Sequence, residues 1–377
     1  MSGKDCGLSG KSRRIPLRRF PALIQKTTVA LLFGGRSAEH EVSIRSAAAV
    51  FRNLDPKKFR VAAIYIDKCG RWKRVASPLL PIERLAAGPA SDFLPWAGTK
   101  SAPPIRADIY FPVLHGPYGE DGTIQGLLEM ADVPFVGPGV LGSAVGMDKA
   151  VMKVLFEAAG VPIVPFRVVR EAAWRRDPGA VLRAVRREFG LPLFVKPANL
   201  GSSVGITKVA DRAATRAAIE LAFAYDRKVL VEKGIRGREL ECSVLGNDAP
   251  EASLPGEVIP HGEFYDQNSM YIAGRTVFYI PARLPAGVVQ AVRKAAVAAF
   301  TACECEGMAR VDFFLEGGSG RLYVNKLNTI SSFTEISMYP KLWEASGLAY
   351  PRLLERLLGL GFERHKAKKR CIVRTRP

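Results

Sequence analysis

Hydrophobic positions near the start of the chain form short continuous runs separated by segments with helical spacing. The run in TTVALLFGG (27–35) predicts a buried strand, and RSAEHEVSIRSAAAVFRNL (36–54) has the periodicity of an amphipathic helix. FRVAAIYI (59–66) predicts the next strand after a short loop. A strand, a helix and a second strand at this spacing favour a parallel sheet, and therefore the α/β fold class.

A second series of elements follows in the rest of the chain. DKAVMKVLFEAAG (148–160) predicts a helix, and PLFVKPA (192–198) and KVLVEKGI (228–235) predict strands. After a predicted helix over 287–303, two strand-like segments flank the turn EGGSG, which indicates a β-hairpin over 308–328. At 377 residues, the chain is expected to form two or three domains of about 100–200 residues each.

The formal net charge of +19 is concentrated at the two ends of the chain. Residues 1–26 hold seven Lys or Arg and one Asp, and residues 364–377 hold seven Lys or Arg and no acid. Both segments are predicted to be basic tails, so the body carries only a small part of the excess charge. The body also has no interleaving of basic and aromatic residues and no zinc-finger spacing. We therefore expect no specific nucleic-acid partner.

Hydropathy and cysteine spacing indicate the cellular location of the protein. No apolar run approaches the roughly 18–20 residues that a membrane span requires. The basic N-terminal segment has no apolar core of the kind found in signal peptides. The six cysteines include no C-x-x-C pair, which favours reduced thiols over a disulfide framework or a zinc site. These features predict a cytoplasmic protein without a membrane span.

Four polar side chains collect on the predicted hairpin. Because side chains alternate between the two faces of a strand, Arg310 and Asp312 share a face, and so do Lys326 and Asn328. An Asp and an Asn present oxygen atoms, which suit Mg²⁺ bound together with phosphate. A simple salt bridge between Asp312 and Arg310 or Lys326 would explain the same residues.

Two further segments resemble parts of a phosphate-binding site. FVKPANLGSSVGI (194–206) places Lys196 at the end of a buried strand, before a loop of Gly and Ser whose N–H groups can approach phosphate oxygens. VLVEKGIRGRE (229–239) carries Glu232 and Glu239 at and beyond the end of another strand. Either carboxylate could accept a hydrogen bond from a ribose, and either could equally be an ordinary exposed Glu.

Taken in order along residues 28–360, these motifs resemble the ATP-grasp ligases, and among them the D-alanine:D-alanine ligase family. The matching segments cover nearly the whole body of the chain, and so many ordered matches make the resemblance specific. They are GGRSAEHEVS, HGPYGEDGTIQG, SAVGMDK, VKPANLGSSVG, VEKGIRGRE, FYDQNSMY, MARVDFF and NTISSFTEISMYPKLW.

The resemblance implies an ATP-grasp architecture of three α/β domains. An N-terminal parallel-sheet domain over 27–145 would bind substrate. A central domain over 146–228 and a C-terminal domain over 229–363 would clamp ATP between two sheets. The implied reaction is the ATP-dependent joining of two D-alanines through an acyl phosphate, for peptidoglycan precursors. ATP, D-alanine and Mg²⁺ or Mn²⁺ are the implied ligands, and a homodimer is the implied assembly.

The resemblance also implies roles for individual residues. The first substrate would contact Glu39, linked through Ser202 and Tyr271, with His115 near its carboxylate, and Ser337 would hold the second substrate. Arg310 would stabilise the oxyanion that forms during ligation. The implied nucleotide ligands are Lys149, Lys196, Glu232, Lys233, Ile235 and Glu239, and the implied metal ligands are Asp312 and Asn328. FYDQNSMY (264–271) would close over the site.

The chain departs from the family pattern at three places. Lys326 stands where the family has a metal-bridging Glu, which changes the local charge by two units. Met270 stands where the family has a Lys that reaches the terminal phosphate. Ser331 and Ser332 replace Pro-Gly, and a Ser resists the positive φ that Gly adopts freely. All three departures concern the reaction centre.

Two interpretations of these departures follow. In one, the enzyme ligates D-alanine with reduced turnover, and Lys326 supplies part of the charge of one Mg²⁺. In the other, the chain binds nucleotide or D-amino acid in a regulatory or interaction role with little catalysis. A third hypothesis, in which another amino acid or a hydroxy acid is the second substrate, is less consistent with Tyr271 and Ser337.

Overall fold

The computed structural model describes residues 26–89, 105–201, 204–260 and 276–370. Within these ranges the chain forms three β-sheets with helices packed around them. The strands are β1 Thr27–Gly34, β2 Phe59–Ile66, β3 Trp72–Val75, β4 Ile109–Pro112, β5 Phe166–Arg170, β6 Leu193–Pro197, β7 Thr207–Val209, β8 Lys228–Lys233, β9 Gly237–Gly246, β10 Glu251–Ala252, β11 Gly256–Pro260, β12 Thr276–Tyr279, β13 Gly307–Glu316 and β14 Leu322–Asn328.

Most of the helices are short, and the longest lies at the end of the described chain. They are α1 His40–Asn53, α2 Ile82–Ala86, α3 Thr123–Met130, α4 Val140–Met147, α5 Lys149–Ala158, α6 Glu171–Arg176, α7 Pro178–Glu188, α8 Thr215–Phe223, α9 Ala286–Ala302, α10 Met338–Ala345 and α11 Tyr350–Arg370, with a 3₁₀ turn at Arg212–Ala214.

The first sheet has the strand order β3-β2-β1-β4. β1 runs parallel to both β2 and β4, which confirms the parallel sheet predicted from the strand–helix–strand spacing. The β1 residues from Val29 to Phe33 are completely buried because helices cover both faces of this sheet. The carboxyl ends of β1 and β4 lead into the loops that carry Glu39 and His115.

The second sheet, β5-β8-β6-β7, is antiparallel. Val195 on β6 pairs with Val231 on β8, and both are fully buried. This register places Lys196 and Glu232 on neighbouring strands, each one residue from that pair. The apolar residues fix the two strands, and their polar neighbours point to the opposite face.

The third sheet contains β12-β11-β9-β13-β14, with β10 paired to β9. β13 and β14 form the predicted antiparallel hairpin, in which Arg310 lies opposite Asn328 and Asp312 lies opposite Lys326. The register shifts directly after Asp312, as at a β-bulge. On the other side of β13, Glu241 of β9 is also paired with Asp312. Three charged residues therefore form one row across three strands.

The last helix, α11, joins the first sheet to the third. Its buried leucines share a hydrophobic core with Val29, Leu31 and Phe111 of the first sheet and with Met308 of β13. The helix continues to Arg370, past position 364, where the basic tail was expected to begin. Buried Arg364 donates hydrogen bonds to the carbonyl oxygens of Phe135 and Gly137. The first charged residue of the expected tail is thus part of the folded body.

Two other expectations concern membrane helices and thiols. Over the ranges that the structure describes, no helix is long and apolar enough to span a membrane. The four cysteines within those ranges, Cys69, Cys242, Cys303 and Cys305, are free thiols, as the absence of a C-x-x-C pair suggested.

Replacing Leu357 by Ala should destabilise the protein by about 2–5 kcal/mol, because the substitution leaves a cavity in the core between α11 and the first sheet. Leu357 is fully buried in that core. Chemical denaturation of the purified variants measures the effect. Leu221→Ala is the matched control, since Leu221 on α8 is 50% exposed and its loss should cost far less. Equal losses for the two variants would contradict this account of the core.

Candidate active site

A cavity of about 660 Å³ lies where the three sheets approach one another, and it is the site to which the sequence motifs point. Its lining brings together residues from β6, β8, β9, β13 and β14 and from the loops after β1 and β4. The residues predicted from sequence that line it are Glu39, His115, Lys149, Lys196, Glu232, Lys233, Ile235, Glu239, Arg310, Asp312, Lys326 and Asn328.

One wall of the cavity is built around the buried carboxylate of Glu232. Lys196 Nζ lies 2.7 Å from one of its oxygens and Lys153 Nζ lies 3.3 Å from the other. The two cations lower the pKa of Glu232, although burial alone would raise it. Burial also lowers the pKa of Lys153 to about 8. This carboxylate stays ionised because two ammonium groups replace its lost hydration.

Lys149 lies at the start of α5 and is held against the loop that follows β6. Its Nζ donates hydrogen bonds to the carbonyl oxygens of Ala198 and Leu200. Asp148 caps the same helix by accepting from two backbone N–H groups. Burial, together with the charges of Lys196 and Lys326, lowers the pKa of Lys149 to about 7. A phosphate placed here would favour the charged form of Lys149.

The lining continues from the end of β8 into β9, with Lys233, Ile235 and Glu239. Lys233 Nζ lies 3.8 Å from a carboxylate oxygen of Glu316. Glu239 lies on β9 among buried neighbours, and burial raises its pKa to about 7, with a further contribution from the charge of Asp312. Lys233 and Glu239 supply donors and acceptors at the rim, and Ile235 supplies apolar surface.

The opposite wall is a cluster of charges on β9, β13 and β14. Arg310 donates to both carboxylate oxygens of Asp312, at 2.7 and 2.9 Å, and lies 3.1 Å from an oxygen of Glu241. The Asn328 side-chain amide donates to Asp312 at 3.0 Å. Arg310 lowers the pKa of Asp312 against the effect of burial, whereas burial raises the pKa of Glu241 to about 7. The guanidinium group is therefore fixed in orientation by two acidic side chains.

The predicted metal ligands are adjacent, but their surroundings do not suit a metal ion. The structure brings Asp312 and Asn328 together, with Lys326 Nζ 3.5 Å from Asp312. A bound Mg²⁺ prefers near-octahedral coordination by oxygen, and an ammonium group in that shell opposes it. Among the residues described, no group of three or more His, Cys, Asp or Glu side chains could hold a metal. The residues present do not fit a divalent ion held by the protein itself.

Glu39 lies at the other end of the cavity, on the loop between β1 and α1. A Cβ atom at Gly116 would lie 2.8 Å from a carboxylate oxygen of Glu39, and one at Gly201 would lie 3.2 Å from it. Gly116 also has a φ of 70°, which favours glycine. The absence of side chains at these two positions leaves room for the carboxylate of Glu39 between two backbone segments.

His115 is buried near Glu39 and is held through both ring nitrogens. Nδ1 lies 3.2 Å from the carbonyl oxygen of Ile330, which can only accept, so Nδ1 carries the hydrogen. Nε2 then accepts from the hydroxyl of Ser46 at 3.2 Å. Burial lowers the pKa of His115, although the charge of Glu39 acts in the opposite direction. This ring is a neutral, oriented group and not a free cation.

The serines that replace Pro-Gly in the family pattern differ in their contacts. Ser332 Oγ lies 2.8 Å from Ser337 Oγ, and Ser337 Oγ lies 2.7 Å from Thr334 Oγ1. The hydroxyl oxygen of Ser331 is buried and has no hydrogen-bond partner among the described residues. Ser337 precedes α10 and reaches the cavity wall through Ser332, which lines it. The predictions for Ser202, Tyr271 and Met270 lie outside the described residues.

Four site residues were not assigned from the sequence. Glu241, Lys153, Glu120 and Asn325 contact or adjoin predicted site residues. Two had a visible signal: Lys153 is one helical turn after Lys149, and Glu241 shares a strand face with Glu239. Asn325 Oδ1 lies 3.4 Å from Lys196 Nζ, a contact between distant segments that no local pattern indicates.

Comparison with known proteins gives the family. A family model described as D-ala D-ala ligase N-terminus matches residues 28–138. A second, described as D-ala D-ala ligase C-terminus, matches residues 155–359. The chain belongs to the D-ala D-ala ligase family. The ATP-grasp fold class expected from the sequence is thereby confirmed, since structural neighbours of the chain are ligases of this family.

Individual relatives match over almost their full length. The chain is 49% identical over 344 residues to the D-alanine–D-alanine ligase of Solibacter usitatus, covering 91% of this chain and 98% of that protein. A solved D-alanine-D-alanine ligase from Coxiella burnetii has a TM-score of 0.80 and 39% identity, covering 92% of this chain and 96% of the other. The VanG D-Ala:D-Ser ligase of Enterococcus faecalis has a TM-score of 0.79 and 35% identity, covering 89% and 100%.

Replacing Glu232 by Gln should destabilise the protein by about 3–5 kcal/mol, because two buried ammonium groups lose their common partner. Adding Lys153→Met to this variant should recover part of the loss, since one uncompensated charge is removed. Thermal and chemical denaturation measure both. Glu188→Gln is the control, because its pair with Arg167 lies at the surface and is worth about 0–1 kcal/mol. If the effects of Glu232→Gln and Lys153→Met on the free energy of unfolding were strictly additive, the ion pair between Glu232 and Lys153 would be contradicted.

The stability contributed by Glu120 should fall with rising pH. Burial raises its pKa from 4.5 to about 8, with a further contribution from Glu39, so the folded protein holds a proton that the unfolded chain has lost. Its contribution is complete below pH 4.5 and disappears as the pH rises through about 8. The Tm of the wild type relative to Glu120→Gln should therefore be higher at pH 5 than at pH 8. A difference independent of pH would contradict this assignment.

Proposed function

We propose that this protein is an ATP-dependent ligase that joins two D-alanines through an acyl phosphate, giving D-alanyl-D-alanine for peptidoglycan precursors. The observation that carries the proposal is the cavity of about 660 Å³ between the three sheets. Two lysines suited to phosphate, Lys149 and Lys196, line it together with oriented Arg310. Glu39 and His115 line the same cavity, and ligation of small zwitterions requires such groups in one place. Membership of the D-ala D-ala ligase family supports the same reaction.

The nucleotide would occupy the end of the cavity between the second and third sheets. Lys149 and Lys196 would contact phosphate oxygens as point charges. Glu232, Lys233 and Ile235 would border the adenine, and Glu239 would accept a hydrogen bond from the ribose. Phosphoryl transfer depends mainly on positioning and electrostatic stabilisation. The divalent ion would enter as part of the Mg²⁺–ATP or Mn²⁺–ATP substrate.

The first D-alanine would bind at the opposite end. Its ammonium group would face the carboxylate of Glu39, assisted by Ser202 and Tyr271, and its carboxylate would lie near neutral His115. The terminal phosphoryl group of ATP would pass to that carboxylate, giving ADP and an acyl phosphate. Exclusion of water by the walls of the cavity would protect this intermediate from hydrolysis.

Arg310 would act in the second step. The amine of the second D-alanine attacks the acyl carbon, and a negative charge develops on the carbonyl oxygen. The C–O bond to phosphate then breaks, inorganic phosphate leaves with the bonding electrons, and the phosphate takes up the proton that the amine loses. Because Arg310 is held by Asp312 and Glu241, its guanidinium group would be in place before this charge develops. Ser337 would hold the second carboxylate.

Position 326 favours a second candidate function. The ammonium group of Lys326 lies beside Asp312, where a metal ligand was expected. A protein with this arrangement could bind nucleotide or D-amino acid in a regulatory role with little turnover. We further propose a homodimer in the cytoplasm, without a specific nucleic-acid partner, in line with the family resemblance.

Purified protein should release phosphate from Mg²⁺–ATP only when D-alanine is present, with D-alanyl-D-alanine formed in equal amount. A coupled phosphate assay and chromatography of the product measure this. Arg310→Lys should lower kcat by roughly 10²–10³-fold with a smaller effect on nucleotide affinity, since it loses the bidentate contact with Asp312.

Two controls separate the candidate functions. L-alanine in place of D-alanine should give no phosphate release beyond the background. ATP should raise the Tm under either candidate function. An increase in Tm with ATP, without D-alanine-dependent phosphate release, would contradict the ligase function and support the nucleotide-binding function.

A further inference from the structure

Lys326 is the least constrained of the charged groups around Asp312. Its Nζ lies 3.5 Å from the carboxylate, whereas Arg310 and Asn328 approach it at 2.7–3.0 Å. The side chain of Lys326 is 32% exposed, compared with 9% for Arg310. Asp312 therefore already has close partners without Lys326, and the ammonium group retains access to the cavity.

Lys326 shares the cavity with charged groups from several elements of its wall. Glu239 and Glu241 of β9, Asp312 of β13, Glu120 in the loop before α3 and Lys149 of α5 all line this cavity together with Lys326. These groups belong to four separate segments, so the ammonium group of Lys326 faces a space bordered by much of the cavity wall.

The chemistry of the surrounding groups indicates which ligand this ammonium would meet. Lys149 and Lys196, which are buried, line the same cavity as the more exposed Lys326, so three ammonium groups face one space. Ammonium groups contact phosphate oxygens as point charges, and a ligand with several negative charges would offset their mutual repulsion. A polyphosphate chain satisfies this condition better than a single carboxylate does.

We infer that Lys326 contacts the phosphate chain of the bound nucleotide and supplies there a positive charge that reduces the dependence of nucleotide binding on Mg²⁺. The inference rests on the proposed function, because it requires a nucleotide in the cavity. It also follows from the misfit described above: beside Asp312 and Asn328, the protein presents an ammonium group in place of a third oxygen ligand for an ion.

A purely structural role for Lys326 makes a different prediction. If its only task were to pair with Asp312, removing it would leave the buried carboxylate with its two closer partners. Arg310 and Asn328 would still hold the carboxylate, and nucleotide affinity would not change. The two roles are therefore separated by binding measurements and not by stability.

The test is calorimetric titration of the full-length protein with ATP, once in EDTA and once over a series of Mg²⁺ concentrations. Wild type is compared with Lys326→Glu and Lys326→Met. Lys57→Glu serves as the matched control, because it makes the same charge change at an exposed position outside the cavity. Circular dichroism checks that each variant is folded.

The expected result is a loss of metal-free ATP affinity of about tenfold or more in both Lys326 variants, and none in Lys57→Glu. Mg²⁺ should restore binding more in Lys326→Glu than in Lys326→Met, because the new carboxylate adds an oxygen ligand beside Asp312 and Asn328. Metal-free affinity equal to that of the wild type in Lys326→Met would overturn the inference. No binding of ATP by the wild type under either condition would instead overturn the proposed function.

Discussion

The carboxylate of Asp312 is the charge on which the arrangement of one cavity wall depends. It is buried on β13 of the third sheet, with Glu241 as its neighbour on β9 and Lys326 on β14. An ionised carboxylate in such a place needs close donors, and Arg310 meets this need for Asp312 and Glu241 together. Arg310 lowers the pKa of Asp312, whereas burial still raises the pKa of Glu241 to about 7, and the guanidinium group is held in one orientation between the two side chains.

On the opposite wall of the cavity, the charges are also buried in contact with each other, but there one acid lies between two cations. There Glu232 is the single acid between Lys153 and Lys196, and it makes burial of two ammonium groups possible. Each wall thus combines buried charges that are stable together and costly to separate. The cavity between them is polar and prearranged, which suits a reaction whose catalysis consists mainly of placing charged reactants.

Packing far from the cavity fixes the first sheet relative to the third sheet, which carries Asp312. Helix α11 packs its leucines against the first sheet, while Arg364 binds the carbonyl oxygens of Phe135 and Gly137. The loops that carry Glu39 and His115 are consequently attached to the same body as β13. A substrate at Glu39 and an oxyanion at Arg310 would then lie in one rigid frame.

Local patterns determined much of this protein from sequence alone. Period-two alternation predicted the hairpin and the shared faces of Arg310 with Asp312, and ordered motifs identified the family. The tertiary structure decided which of these groups are partners, because Glu241, Asn325 and Glu232 reach their partners from distant segments. It also decided that residues 364–370 continue a helix, since only the packed body offers the carbonyl oxygens that Arg364 binds. Pairing and burial depend on chain segments brought together by folding, and no local period encodes them.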